Sequence, residues 1–480
     1  MRPRKARPAP LPVTAGAPAG RMRPRKVRLG VAAAEMTLTV DRLIFRGDAL
    51  GKGEDGRAVF VPFAAPGEAV RVRIVEERPD YRRAALLEVA APSPDRRVAP
   101  CPHFTVCGGC HWLHLAERAQ QQWKERILRE HLSRGARLAE PPVRLLRVPV
   151  PSLGYCWRAR FRVARVADRF HLGYYRMASR QVEDLEACPL LAPPLNHLLA
   201  ALRALGPAGP RAFPGLREVH LQGSEATGRL LCTFLLAPGG RVPPLRPLFD
   251  ALAAAAPALA GVSVEEETED GWRRRGRLGE EAVEEHVGGA RLRVSGGAPF
   301  PVSGTAAGAL AAEVLDLAEP GGSERVLDLY CGVGLFAVPL GLKVASLVGV
   351  EGDGRAAADA RHNAWANGCR QVRIWEGTPE AFLRTSEAGQ PWDLVLLEPP
   401  GAGLSREALE GVVALAAPRL LYVGRDVSTF ARDAGRLRER GYTLEAVQPL
   451  DCSPQTYHSE VVALLARQSG GADHESRGRG

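Results

Sequence analysis

Three groups of residues in this chain have the types and spacing to do chemistry. The first is Cys101-x5-Cys107-x2-Cys110, joined much later by Cys188–Pro189. Three thiols within ten residues, the last two flanking Gly108–Gly109, can converge on one point, and Cys188 supplies a fourth. Four soft thiolates suit either an iron–sulfur cluster or a structural zinc ion. The spacing is not the Cys-x3-Cys-x2-Cys of radical enzymes. Cys156, Cys232, Cys331 and Cys369 sit in strand-like or helical contexts, where a small buried side chain is the ordinary role.

The second group is Val326–Gly334, VLDLYCGVG: an apolar strand runs into a Gly-rich turn, and a helical pattern follows. Gly332 and Gly334 let the backbone approach a ligand at the carboxyl end of the strand. The next strand ends in Glu351, an acid placed to accept hydrogen bonds from ribose hydroxyls. Position 337 is Ala, so the GxGxxG pattern is incomplete and no pyrophosphate cradle is evident. That favours S-adenosylmethionine over a dinucleotide. The candidate cofactor residues are Asp328, Tyr330, Gly332, Gly334 and Glu351, with Glu398 of Glu398–Pro399–Pro400 at the end of a further apolar strand. No aromatic follows Pro400, which weighs against methylation of an exocyclic amine, where a stacking ring is needed.

The third group is a basic stretch. Residues 101–180 hold 15 basic residues against five acids, interleaved with Trp112, Trp123, Trp157, Phe161, Phe170, Tyr174 and Tyr175. Arginine forks suit phosphate and aromatic faces stack splayed bases, so structured RNA is the expected partner of this region.

Placing these groups requires three folded units. Thr37–Ile44, Ala58–Pro62, Ala69–Val75 and Arg82–Val89 read as short strands punctuated by glycines, a small β-barrel over 36–95 that suits the oligonucleotide-binding kind, with other small barrels left open by pattern alone. Residues 96–300 mix the Cys cluster, a helix with Leu115, Ala119, Trp123 and Ile127 on one face, another over Pro194–Leu205, and several strands. Residues 301–467 switch to a βα rhythm with apolar strands Val326–Leu329, Leu347–Val350, Leu394–Leu397 and Arg419–Val423, which implies a parallel sheet covered on both faces. Residues 1–35, with nine basic residues and one acid, read as a disordered basic tail, or as sequence upstream of a true start at Met22 or Met36. Residues 468–480 read as a polar tail.

The whole chain of 480 residues carries a net charge of +10, with 45% hydrophobic and 25% charged residues. These globular values exclude wholesale disorder, and no apolar run approaches the ~18 residues of a membrane span. Nine cysteines are too few for a disulfide scaffold. A monomer in the cytoplasm is expected.

These parts, in this order over residues 37–466, resemble the RNA 5-methyluridine methyltransferase family, which acts on tRNA or large-subunit rRNA. The resemblance is carried by the N-terminal barrel, Cys101/Cys107/Cys110/Cys188, Tyr155-x-x-Arg158-x-Arg160, Asp328–Phe336, Glu351, Glu398–Pro399 and His458–Ser459–Glu460. It implies a class I, Rossmann-like α/β methyltransferase domain, an N-terminal TRAM barrel, and a central α+β domain holding a 4Fe–4S cluster rather than zinc. S-adenosylmethionine would be the donor and structured RNA, rRNA or tRNA, the partner. In that family a Cys thiolate adds to uracil carbon-6, carbon-5 takes the methyl group, and a base removes its proton. The base position here is Glu460.

The chain departs from the family pattern at several points. Arg425 stands where the nucleophilic Cys is expected, in Gly424–Arg425–Asp426–Val427. A guanidinium stays protonated and cannot attack carbon. The family's Phe-Gln-x-Asn reads Phe300–Pro301–Val302–Ser303, an Asn after the motif glycines is Leu335, and the Asp-Pro acid is Glu398. Two alternatives follow: a degenerate member that binds RNA as a chaperone, or a methyltransferase acting on another RNA atom without a Cys nucleophile. Cys452, eight residues before Glu460, is the one candidate for a relocated nucleophile.

Overall fold

The structure, a computed structural model, describes residues 34–166, 169–205, 213–269 and 271–468. The two segments read as tails fall outside these except for residues 34, 35 and 468.

Five strands close the N-terminal barrel: β1 (Glu35–Leu43), β2 (Ala49–Lys52), β3 (Ala58–Val61), β4 (Ala69–Glu77) and β5 (Tyr81–Ala91), in the order β1-β2-β3-β5-β4. β1 begins at Glu35, inside the segment read as tail. Alternation fills the interior with Leu38, Val40, Val59, Val61, Val70 and Val72, each worth about 1.5–3 kcal/mol of burial.

Helix α1 (Glu117–Gly135) leaves the Cys101–Cys110 loop. The periodic residues predicted this helix, although Leu115 precedes it and Gly135 is its last residue. Next come β6 (Arg158–Val166), β7 (Arg169–Gly173), α2 (Pro193–Ala204), β8 (Leu216–Gly223), β9 (Leu230–Leu236), α3 (Leu245–Ala255), β10 (Leu259–Thr268) and β11 (Gly271–Gly279). Their sheet has the order β11-β10-β9-β8-β6-β7, with α2 and α3 packed on it. β12 (Ala282–Val287) and β13 (Ala290–Ser295) form a separate pair. This pair lies inside the stretch assigned by sequence to the central unit, yet it shares a core with the C-terminal sheet through Val283, Val287, Leu292 and Val294.

The C-terminal unit contains α4 (Gly304–Ala318), β14 (Arg325–Leu329), α5 (Ala337–Gly341), β15 (Ser346–Glu351), α6 (Gly354–Ala366), β16 (Val372–Glu376), α7 (Pro379–Leu383), β17 (Leu394–Leu397), α8 (Arg406–Ala414), β18 (Arg419–Gly424), α9 (Val427–Arg438), β19 (Tyr442–Leu450) and β20 (Glu460–Arg467). The sheet runs β16-β15-β14-β17-β18-β20-β19. Its first five strands are parallel, as the apolar runs predicted, and β20 joins antiparallel between β18 and β19. The barrel, α1 and one face of this sheet bury a common apolar core, so the units are not strung loosely. α1 crosses α9 where two glycines meet: a Cβ on Gly435 would lie 2.3 Å from the Gly135 carbonyl oxygen.

Candidate active site

The Gly-rich turn sits where the sheet's strand order reverses beside β14, the usual crevice for a ligand in an open α/β sheet. Tyr330, Gly332 and Gly334 all take positive φ, at 68°, 56° and 86°. Tyr330 tolerates the left-handed region only because the turn fixes it there. A Cβ on Gly332 would meet nothing within 4 Å, so open space stands over the turn.

Three of the predicted acids surround this space. Asp328 is fully buried, and neither carboxyl oxygen has a hydrogen-bond partner. Burial, with Glu398 and Glu351 nearby, pushes its carboxyl well above the usual range. Glu351 accepts from the Gly332 N–H at 2.8 Å and from the Asp353 N–H at 2.6 Å, which ties the end of β15 to the turn. Asp353 in turn caps α6 by accepting from the Arg355 and Ala356 N–H groups. An orphaned buried carboxyl with two more acids beside it, which a nearby cation would ionise, is the complement of a cationic ligand. S-adenosylmethionine, a sulfonium with an ammonium group and ribose hydroxyls, fits these residues.

The acceptor end of the crevice is built by strand register. β18 follows β17 in parallel and places Arg425 beside Glu398; the Arg425 Nη2 donates to Glu398 Oε1 at 2.8 Å. Asp426 caps α9 through the Ser428 and Thr429 N–H groups, which fixes the turn carrying Arg425. β20 pairs with both β18 and β19, so that Gly424 faces Val461 and Leu450 faces Glu460. Glu460 thereby stands next to Arg425 with its Oε2 buried and unpartnered. Burial raises the Glu460 carboxyl, opposed by Arg425 and Lys124. Glu398 and Glu460 both hold the Arg425 guanidinium firmly protonated. Cys452 is only 1% exposed, and burial followed by Glu460 and Asp451 drives its thiol far up. It is a protonated core thiol, not an accessible thiolate.

The loop between β19 and Glu460 is pinned by groups to which the sequence assigned no such role. Lys124 of α1, wholly buried, donates to Asp451 Oδ1 at 2.6 Å and to the Ser453 carbonyl at 3.1 Å. The Gln455 carbonyl accepts from both His111 and Trp112 N–H, and its side-chain oxygen accepts from Gln120 and Arg97. Tyr155 donates to the Pro454 carbonyl at 2.9 Å, and Arg158 donates to the Ala298 carbonyl while lying over the Phe300 ring. Lys124 is one of the 15 basic residues of the stretch expected to meet RNA, but the structure buries it against Asp451.

The thiols are gathered from two loops. The Cys101–Cys110 loop is fastened to the segment after β7 by Gly108 N–H to the Tyr175 carbonyl and by His103 to Glu183. Asn196 holds Cys188 through two hydrogen bonds of 2.9 Å. Cys101, Cys107, Cys110 and Cys188 are electrostatic neighbours: burial, with Cys188 and Cys101 adding to it, drives the Cys107 thiol up to about 11. None is in a disulfide. Cys156, taken from sequence as an ordinary core thiol, is also a neighbour of Cys188. Among the described residues no three His, Cys, Asp or Glu side chains stand in metal-ligating geometry. The chemistry of the four clustered thiols fits a thiophilic metal group.

Many basic residues of the stretch are in ion pairs, several of them with acids from elsewhere. Arg147 pairs with Glu313, Arg162 with Glu218, Arg144 with Asp316 and Arg176 with Glu183. Arg118, Arg160 and Arg180 are exposed and have no ion-pair partner among the described residues.

A sheet of this order with a Gly-rich turn, flanking acids and an N-terminal oligonucleotide-binding barrel defines a class I methyltransferase fold joined to a nucleic-acid module. Residues 33–87 match the TRAM domain family. An uncharacterized RNA methyltransferase of Gloeobacter violaceus is 34% identical over 445 residues, 90% of this chain and 96% of that protein. The 23S rRNA (uracil(1939)-C(5))-methyltransferase RlmD of Shewanella amazonensis is 31% identical over 90% of this chain and 95% of its own. The chain belongs to the TRAM-domain RNA methyltransferase family of which these are members. The Pyrococcus abyssi tRNA (uracil-54, C5)-methyltransferase, solved with S-adenosyl-L-homocysteine, shares the fold, with a TM-score of 0.71 at 22% identity over 89% of this chain and 99% of that one.

Proposed function

We propose that this chain is an S-adenosylmethionine-dependent methyltransferase of a base in rRNA or tRNA, with a uridine the target class its family kinship favours. The observation that carries the proposal is the fully buried, unpartnered Asp328 carboxylate beside the open glycine turn. Asp328, Glu351 and Glu398 would hold the cofactor, with Tyr330, Gly332 and Gly334 shaping its bed. S-adenosylmethionine supplies an electrophilic methyl group when bound. Glu460 would receive a proton from the base at the acceptor end, and Arg425, steadied by Glu398, would stabilise negative charge that develops on the base. The barrel and the segment after β7 would grip the RNA strand while the target base leaves its stack.

Cys101, Cys107, Cys110 and Cys188 would hold the 4Fe–4S cluster that family kinship implies. Visible absorption with four irons per chain supports it, and stoichiometric zinc would overturn it. The activity is tested by nucleoside mass spectrometry of rRNA and tRNA from cells with and without the gene. Loss of one methylated nucleoside is the expected result; an unchanged set, together with no binding of S-adenosylmethionine in calorimetry, leaves the RNA chaperone alternative standing instead.

A further inference from the structure

The acceptor end of the crevice holds no thiol able to begin addition chemistry. Cys452 beside it and Cys331 in the Gly-rich turn are each 1% exposed, and burial drives both thiols far up. Carbon-5 of uracil is a poor nucleophile unless a thiolate has first added to the neighbouring carbon. What the crevice offers is a donor beside an acceptor. The Arg425 side chain is 44% exposed and bonds Glu398 through one nitrogen, which leaves guanidinium N–H groups for a ligand. Glu460, one register step away across the β18–β20 ladder, keeps a buried oxygen without a partner. The matching pattern on a nucleobase is a carbonyl next to a ring N–H, found on uracil as O4 and N3–H and on guanine as O6 and N1–H. Such an N–H is a weak acid whose conjugate base spreads its charge onto the carbonyl oxygen. A guanidinium stabilises that oxygen, and a carboxylate in a buried site is a stronger base than one in water.

We propose that the methyl acceptor is a lactam ring nitrogen of the RNA base, uracil N3 or guanine N1, with Glu460 taking its proton and Arg425 holding the adjacent carbonyl oxygen. The proposal rests on the crevice being the methyltransferase centre argued above. The step balances without another reactant. The ring N–H proton passes to Glu460, the N–CH3 bond forms as the C–S bond of S-adenosylmethionine breaks, S-adenosylhomocysteine leaves, and Glu460 returns its proton to water. No protein–RNA bond is made.

The test uses the full chain, S-adenosylmethionine labelled in its methyl group, and rRNA or tRNA from cells lacking the gene, tritiated at uracil carbon-5. The expected product is 3-methyluridine or 1-methylguanosine, which identifies the base, with the tritium retained and no denaturation-stable adduct to 5-fluorouridine RNA. Glu460→Gln is expected to lose at least about 100-fold in rate while binding S-adenosylmethionine as the parent does. Arg425→Lys is expected to retain more rate than Arg425→Ala. Formation of 5-methyluridine with one tritium released per methyl overturns this proposal and leaves the methyltransferase assignment intact. An unimpaired Glu460→Gln also overturns it. Absence of transfer to any RNA overturns both.

Discussion

Asp328, proposed to bind the cofactor, is the residue on which ligand binding and stability would pull in opposite directions. Its carboxyl is fully buried without a partner, so its folded pKa lies above the unfolded value of about 3.9. A group raised in this way contributes stability below its unfolded pKa and loses that contribution as pH rises through the folded one. Asp328→Asn is therefore expected to raise the urea midpoint at pH 7 more than at pH 4, while weakening S-adenosylmethionine binding at least tenfold in calorimetry. A variant that binds as tightly as the parent would remove Asp328 from the site. For Cys452, the wild-type level of methyl transfer is expected in Cys452→Ala, with a stability loss of about 1 kcal/mol from the missing buried sulfur. A complete loss of transfer in a folded Cys452→Ala protein would restore it as a nucleophile.

At the scale of elements, the acceptor end depends on contacts between α1 and the C-terminal sheet. Gly435→Ala would drive a methyl group into the Gly135 carbonyl, and a loss of about 1–3 kcal/mol is expected by urea denaturation. Lys124→Met would leave Asp451 buried without its partner, at about 3–5 kcal/mol. The paired change Lys124→Met/Asp451→Leu is expected to recover much of that loss; a double variant as unstable as the single one would show that packing, not charge, is at issue. These contacts also mark the limit of what sequence can convey. The Gly-rich turn, Glu351 and the apolar parallel strands are local patterns, and each was legible because its signal lies within a few residues. The pairing of β20 with β18 was not, although it alone sets Glu460 beside Arg425, because register between distant strands leaves no mark in either one. Likewise β12 and β13 read as part of the central unit by position, while their apolar face packs on α4 and α6.

Across the whole molecule, a net charge of +10 suggests an anionic partner but overstates how much charge is free to meet it. Folding consumes most arginines of the stretch 101–180 in ion pairs, and Arg118, Arg160 and Arg180 remain exposed without one among the described residues. About three phosphate contacts on a single strand correspond to a slope of roughly −2 in log affinity against log salt. RNA affinity is then expected to fall roughly tenfold to twentyfold between about 50 and 200 mM salt. A hundredfold steeper loss would mean that basic residues outside this set carry the binding.

On the proposed reading, the barrel, the thiol loops and the crevice serve one act, the transfer of a methyl group from a cofactor held by Asp328 to an RNA base held by Glu460 and Arg425. Labelled methyl incorporation measures it directly, with purified full-length protein, S-adenosylmethionine, and rRNA and tRNA from cells lacking the gene. Incorporation approaching one methyl per RNA molecule by the parent, at least about 100-fold slower by Glu460→Gln and at least about tenfold slower at limiting cofactor by Asp328→Asn, is the expected result. No incorporation into either RNA by a protein that binds both RNA and cofactor, or equal incorporation by all three proteins, would contradict it.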